Sequence, residues 1–243
     1  MRSTDGLIDL HQHVIFGVDD GAKTFEETQG MLRRACESGI THVVATSHAT
    51  PGREPFPAEK YLKHLEKARK WLAEEQLPLT LHCGSEIYYT TETLRLLQGG
   101  YIPTLNETWN VLVEFDYEVP YEQICEAVRV LGNQGYTVVI AHIERYQTLR
   151  SLRHVEELHD RYEAVLQMNA NTVLTRRGFF HNRWVRTVLE RGLIDVIASD
   201  AHNTTTRVCN LREAFEALSQ QYGEEYAARC CGRRQRALLA LDK

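Results

Sequence analysis

The sequence is short of several features that would mark a familiar kind of protein. No stretch approaches 18 consecutive apolar residues, and the start, MRSTDGLIDLHQH, has no apolar core of signal-peptide length. No membrane insertion and no secretory leader are therefore expected, and the expected location is the cytoplasm. Basic excess is also missing, since 28 lysines and arginines face 33 aspartates and glutamates for a net charge of −5. That balance does not favour nucleic acid, and an anionic ligand would have to be drawn by local charge. The six cysteines (Cys36, Cys83, Cys125, Cys209, Cys230 and Cys231) show no CxxC spacing and no regular rhythm. A structural zinc site and a disulfide scaffold are excluded on that ground, and the cysteines are read as reduced thiols without a nucleophilic role. Repeats, low-complexity tracts and linkers are absent too. The 243 residues, 43% of them hydrophobic, are expected to form one domain over 1–243, a length that suits a barrel.

What the sequence does have is a recurring ending. Six short β-branched or apolar runs finish on a histidine or a carboxylate: LIDLHQH, VVATSH, LTLHCGSE, VLVEF, VVIAH and DVIASDAH. The runs alternate with amphipathic stretches, the βα rhythm of a mostly parallel sheet or barrel. Strands are expected near 7–10, 42–46, 79–83, 110–115, 137–141, 165–169 and 194–198. The first helix is signalled by Thr24 and Glu27 as a T-x-x-E capping box and is ended by Gly39. Further helices are expected over 58–75, 121–134, 151–161, 182–191 and 211–221, with Pro57 and Pro120 in first turns.

Histidines and carboxylates at the ends of successive strands are the material of a metal site in a β/α barrel. His11 and His13, two apart on a strand, share one face and can grip one ion, although a lone HxH pair also arises by chance. VDDG, with Asp19 and Asp20, reads by itself as a turn, but it follows the HxH by a single short loop. His48 could cap a strand. Glu86 and Glu114 follow apolar runs, where an unpaired charge would cost several kcal/mol unless a metal or an arginine met it. His142 opens HIERY, and Arg145 in that loop has the planar fork that suits phosphate oxygens; its alternative is an ion pair with Glu144 or Glu156. Asp200 and His202 repeat the two-residue spacing in ASDAH, with Arg207 just beyond as a second anion-binding candidate. His42, His64, His82, His154, His159 and His181 follow no such rule and are read as structural or solvated.

Counting Asp20, the set holds four carboxylates and five imidazoles. Three divalent ions would leave such a site at about +2, attractive to phosphate despite the acidic chain. Metal-assisted phosphoester hydrolysis is the chemistry this suits. Mixed nitrogen and oxygen ligands fit manganese, iron or zinc better than magnesium or calcium.

Taken in order, HQH, VDDG, ATSH, GSEIYY, LVEF, AHIERY and ASDAHN resemble the PHP (polymerase and histidinol phosphatase) superfamily, and within it the bacterial metal-dependent protein-tyrosine phosphatases of the CpsB and YwqE type, over roughly residues 7 to 222. The resemblance implies an α/β fold, a distorted (β/α)7 TIM-like barrel, with three divalent metal ions, usually manganese. By the same resemblance His11, His13, Glu86 and Asp200 would hold one ion; Glu86 would bridge to a second held with Glu114 and His142; Asp20, His48 and His202 would hold the third. Arg145 and Arg207 would grip the phosphate, and activated water would attack without a phosphoenzyme. The implied substrate is the phosphorylated tyrosine-rich tail of a bacterial tyrosine kinase that controls capsule or exopolysaccharide assembly, and a homo-oligomer is compatible with it. Two segments depart from the family pattern, ATPG after His48 and the tail RCCGRRQRALLALDK. Three other readings stay open: a small-molecule phosphoesterase such as histidinol-phosphate phosphatase, an exonuclease-like activity, and a non-catalytic barrel that sequesters phosphorylated tails. Arg176 and Arg177 are read as a solvated basic loop or as contacts to acidic residues beside the target tyrosine.

Overall fold

Seven parallel strands stand side by side in chain order in the computed structural model, which describes residues 6–175 and 178–242. They are β1 Leu7–Gln12, β2 Ile40–Ala49, β3 Thr80–Tyr88, β4 Asn110–Glu114, β5 Thr137–Ile140, β6 Val165–Asn169 and β7 Val196–Ala198. The seam between the last and first strands is closed near its top, where the Asp200 N–H donates to the His11 carbonyl (2.9 Å) and the His13 N–H to the Ala201 carbonyl (2.8 Å). The result is the nearly closed seven-stranded β/α barrel that the resemblance implied. The helices around it are α1 Phe25–Glu37, α2 Ala58–Glu74, α3 Thr93–Gln98, α4 Tyr121–Gly132, α5 Leu152–Asp160, α6 Ala170–Leu174, α7 Phe179–Glu190, α8 Leu211–Tyr222, α9 Glu224–Ala228 and α10 Arg234–Leu238. A π-helical turn, Arg229–Arg233, joins the last two. Among the described residues no helix is long and apolar enough to cross a membrane.

All seven expected strands are present, but β2 and β3 run on to Ala49 and Tyr88 because their parallel pairing continues unbroken from His42↔Thr80 to Ala49↔Ile87. His48 and Glu86 therefore lie inside strands. The short α3, α6, α9 and α10 were not foreseen, since five or six residues are too few to show a helical period. Thr24 caps α1 by accepting the Glu27 N–H, but the Glu27 carboxylate reaches back to the Lys23 N–H, one residue before the position of a capping box. Pro57 and Pro120 precede α2 and α4 and do not enter their first turns. Arg176 and Arg177 lie outside the described residues.

Two apolar layers build the barrel. The larger lies between strands and helices, and a smaller one fills the barrel itself with Ile8, Leu10, Val44, Leu112, Val139, Ala141, Val196 and Ala198. The two-residue period of a strand explains the ending on β4, whereas on β1 a register irregularity between Asp9 and Gln12 brings His11 inward directly after the inward Leu10. Leu112 points inward and so does Glu114, while Asp200 lies two residues beyond the end of β7 and reaches the same space through a left-handed backbone (φ 53°). On β3 the residue two before Glu86 is Gly84, where a Cβ would come within 2.6 Å of the Val44 side chain, so nothing larger fits the interior there. His142 breaks the alternation, because it follows the inward Ala141 directly. A left-handed backbone (φ 33°) accompanies that break, a conformation that non-glycine residues rarely hold and that collects at functional sites.

The lower end is plugged by the tail. Leu238 and Leu239 join the interior layer beside Leu105, and their carbonyls accept the side-chain N–H groups of Asn110 (2.6 Å) and Asn106 (2.8 Å). In this tail Cys230 and Arg236 stand at the Cys-x5-Arg spacing of a thiolate phosphate loop. The cysteine is fully buried in the π-helical turn, and burial pushes its thiol up to about 11, the reverse of what a thiolate nucleophile needs.

Candidate metal centre

At the upper end of the barrel the strands deliver polar side chains into a space with almost no water contact. His11 and His13 are wholly buried, and Glu86, Asp200, His142 and His202 nearly so. His11 Nε2 and His13 Nε2 lie 3.2 Å apart, each 3.2 Å from Glu86 Oε2 and 3.6 Å from Asp200 Oδ1. The second Glu86 oxygen is 2.7 Å from His142 Nε2, and Glu114 approaches the same nitrogen at 3.6 Å. His48 lies between two groups: its Nδ1 is 3.0 Å from Glu114 and 3.2 Å from Glu86, and its Nε2 is 3.4 Å from Asp20. Asp20 also meets His202 Nε2 at 3.3 Å.

The hydrogen bonds behind these rings decide which nitrogen faces the centre. His11 Nδ1 lies 3.3 Å from Oε1 of the Gln167 side chain, an atom that also accepts the His142 N–H. His13 Nδ1 lies 2.9 Å from Asp19, and His202 Nδ1 lies 3.0 Å from the Asp200 carbonyl. Each Nδ1 faces an acceptor and so carries a proton, which in the neutral ring leaves Nε2 as a bare lone pair pointing at the others and at carboxylates. His202 Nε2 is buried and faces the Asp20 carboxylate at 3.3 Å. Lone pairs and carboxylates converging without donors repel one another unless a cation sits among them, and a ring oriented by an acceptor behind it is how protein metal sites fix their ligands. The donor set therefore fits divalent metal. Among the described residues three groups have ligand atoms within 4.8 Å of one another: His11, His13 and Asp200; His48, Glu86 and Glu114; and His13, Asp20, His48 and His202. Compared with the division the resemblance implied, His48 faces two groups with its two nitrogens, and His13 adjoins the third.

Protons take the place of cations when metal is absent. Burial pushes His13 down, but Asp19 and Glu86 outweigh it and raise its pKa to about 9. His142 rises to about 9 against burial through Glu114 and Glu86, and His48 to about 11 against burial through Asp20 and Glu114. The carboxyls move the other way. Hydrogen bonds to His202 and His48 hold Asp20 far below the usual carboxylate range, and His11, with other neighbouring cations, lowers Asp200 against burial.

The two arginines converge on one acid. Arg145 Nη2 binds Asp200, and Arg207 Nη2 meets both Asp200 oxygens at 2.9 Å. The ion pairs weighed for Arg145 with Glu144 or Glu156 are not made: Glu144 accepts from the Asn169 N–H and the Thr172 hydroxyl, and Glu156 pairs with Arg191. Nor does an arginine meet Glu114, whose partners among the described residues are His48 and His142. The six remaining histidines stay outside the centre; His42 and His82, for example, bond to each other at 2.9 Å.

Sequence reading missed the supporting residues. Asp19, passed over as a turn residue, does bind the Gly21 N–H, but it also holds His13 and the His48 N–H. Gln167 and Asn169 pass a hydrogen-bond chain from His11 to Asp200, and their signal was present as polar residues at alternate positions of the buried strand β6.

The family model described as "Capsular polysaccharide synthesis, CpsB/CapC" matches residues 7–240. The tyrosine-protein phosphatase CpsB of Streptococcus pneumoniae is 35% identical over 227 residues, covering 91% of this chain and 93% of its own. Among solved structures, the chain is similar to one described with YwqE from Bacillus subtilis and CpsB from Streptococcus pneumoniae as metal-dependent tyrosine phosphatases, with a TM-score of 0.83, 28% identity, and 91% and 90% of the two chains covered. A histidinol phosphate phosphatase from Lactococcus lactis, solved with zinc, L-histidinol and phosphate, shares the fold at a TM-score of 0.56 and 14% identity, with 91% and 93% covered.

Proposed function

The chain belongs to the CpsB/CapC family and is a metal-dependent tyrosine phosphatase; on that premise we propose how the mouth of its barrel does the work and on what. His11, His13, Asp20, His48, Glu86, Glu114, His142, Asp200 and His202 hold three divalent ions, manganese first, with iron or zinc as alternatives. The substrate is the phosphorylated tyrosine-rich tail of a bacterial tyrosine kinase in capsule or exopolysaccharide assembly, met in the cytoplasm.

Divalent ions in such a site acidify water and neutralise charge on the attacking and leaving oxygens. The chain's own residues supply orientation. Gln167, Asp19 and the Asp200 carbonyl fix the histidine rings from behind. Arg145 and Arg207 are anchored on Asp200 through Nη2, and their remaining N–H groups are the donors that grip phosphate oxygens. Asn169 donates at 2.8 Å to the same Asp200 oxygen that Arg145 and Arg207 hold, which fixes the orientation of that carboxylate.

The observation that carries this reading is the convergence of bare imidazole nitrogens on buried carboxylates beneath two arginines. It is tested by comparing turnover of a phosphotyrosyl peptide, histidinol phosphate and single-stranded DNA by the manganese-loaded protein. The peptide is expected to be preferred. Faster turnover of histidinol phosphate would overturn the substrate assignment in favour of a small-molecule phosphoesterase.

A further inference from the structure

We propose that Tyr117 sets the preference for an aryl phosphate, its ring forming the wall on which the phosphotyrosine ring packs. This rests on the phosphatase reading of the mouth and assigns a residue that the reading leaves without a role.

A cavity of about 610 Å³ opens beside the metal centre, with Glu114, His142 and Asp200 on one side and Arg145 and Arg207 above them. Three aromatic side chains line it: Phe115, Tyr117 and Tyr146. Two of them are committed elsewhere. Tyr146 is buried, and its hydroxyl accepts the Phe115 N–H and lies 3.3 Å from His142 Nδ1. Phe115 is also buried, with its ring edge-on to Tyr146 and tilted against Tyr89. Tyr117 alone of the three stands in solvent, 56% exposed.

Its ring is free but its backbone is not. The Tyr117 carbonyl accepts the Gln147 N–H at 3.0 Å, and the Val119 N–H donates to Asp116 on the other side of it. Tyr117 also lines a second cavity, of about 570 Å³, with Tyr88, Tyr89 and Phe115, so it stands between two open spaces. An aromatic ring held at a rim in this way keeps much of its surface in water and gains apolar cover when a second ring lies on it. The other flat group on this wall, the Arg150 guanidinium, is already engaged, 2.9 Å from His181 and 6.0 Å from the Trp184 ring centre. A phosphoserine side chain could reach the arginines but would leave Tyr117 uncovered, so the ring separates aryl from alkyl phosphates.

The test measures binding of a peptide carrying phosphonodifluoromethyl-phenylalanine, a non-hydrolysable phosphotyrosine mimic, and of inorganic phosphate, to the manganese-loaded wild type, Tyr117→Ala and Tyr117→Phe. Kinetics on matched phosphotyrosyl and phosphoseryl peptides accompany it. Tyr117→Ala should weaken the mimic by about tenfold, raise KM for the phosphotyrosyl peptide by a similar factor, and leave phosphate affinity and phosphoseryl turnover alone. Tyr117→Phe should restore binding, because the ring is what acts. Equal binding of the mimic by wild type and Tyr117→Ala would overturn the proposal, as would an equal loss of phosphate affinity, which would show damage to the site as a whole. A wild type that turned over the phosphotyrosyl peptide no faster than the phosphoseryl one would overturn the aryl preference itself. A wild type with no phosphotyrosine turnover in any divalent metal would sink the reading of the mouth and this proposal with it.

Discussion

At the lower end of the barrel Leu105, Leu238 and Leu239 fill the interior, and Asn106 and Asn110 satisfy the carbonyls of the tail. At the mouth, equally buried, His11 and His13 lie 3.2 Å from each other and 3.2–3.6 Å from both Glu86 and Asp200, with His142 and Asp200 at positive φ. Positive φ occurs at both ends, at Asn106 and Ala240 below as at His142 and Asp200 above, so the difference lies in charge: one end fills its interior with apolar side chains, and the other gathers buried charge. A plug that stabilises and a mouth that is costly without a cation make opposite predictions for substitution. Damage below should change stability and spare chemistry; damage above should do the reverse.

The largest effect is expected at the mouth. His13→Ala or Asp200→Ala removes a group worth several kcal/mol of charge stabilisation in the transition state and should lower kcat/KM on a phosphotyrosyl peptide by roughly a thousandfold or more, with the fold kept by circular dichroism. Near wild-type activity in either variant would break the contrast from above. Leu239→Ala should cost about 2–5 kcal/mol in urea unfolding and leave kcat/KM unchanged where the protein is folded. A loss of activity without a loss of stability would break it from below.

Asp19→Asn tests the link between the two behaviours, since Asp19 touches His13 from behind. Metal affinity should fall by roughly 10- to 100-fold, read by competition with a chelator, with little change in unfolding midpoint. The smallest effect is in pH. In metal-free protein His13 and His142 titrate at about 9 and His48 at about 11, all above an unfolded value near 6.5. Such raised values stabilise fully below about pH 6.5 and lose that contribution as pH climbs through about 9 to 11. The Tm of the metal-free protein should therefore drop over this range, and metal binding near neutrality should release protons, measurable by calorimetry in buffers of different ionisation enthalpy. Proton uptake on metal binding would contradict the assignment of these histidines.

The same contrast governs what could be read in the sequence. The mouth was legible because the strands end on histidines and carboxylates, and on β4 the period of two means that an inward Leu112 commits Glu114 to the interior. His142 was legible by its place after VVIA, but its route inward was not, since it depends on a left-handed φ that nothing in AHIERY signals. Asp19 was hidden by VDDG, where one residue serves both a turn and a histidine. The plug was missed altogether. RALLALDK carries no sign that Leu238 and Leu239 enter the barrel, because that placement comes from Asn106 and Asn110, more than a hundred residues earlier in the chain.

Release of phosphate from a phosphotyrosyl peptide by metal-stripped protein, with manganese, iron(II), zinc, cobalt or magnesium added back one at a time, tests the central claim most directly. The account predicts no release from the stripped protein and rescue by manganese or another transition ion. Undiminished release from protein shown to be free of metal would contradict it.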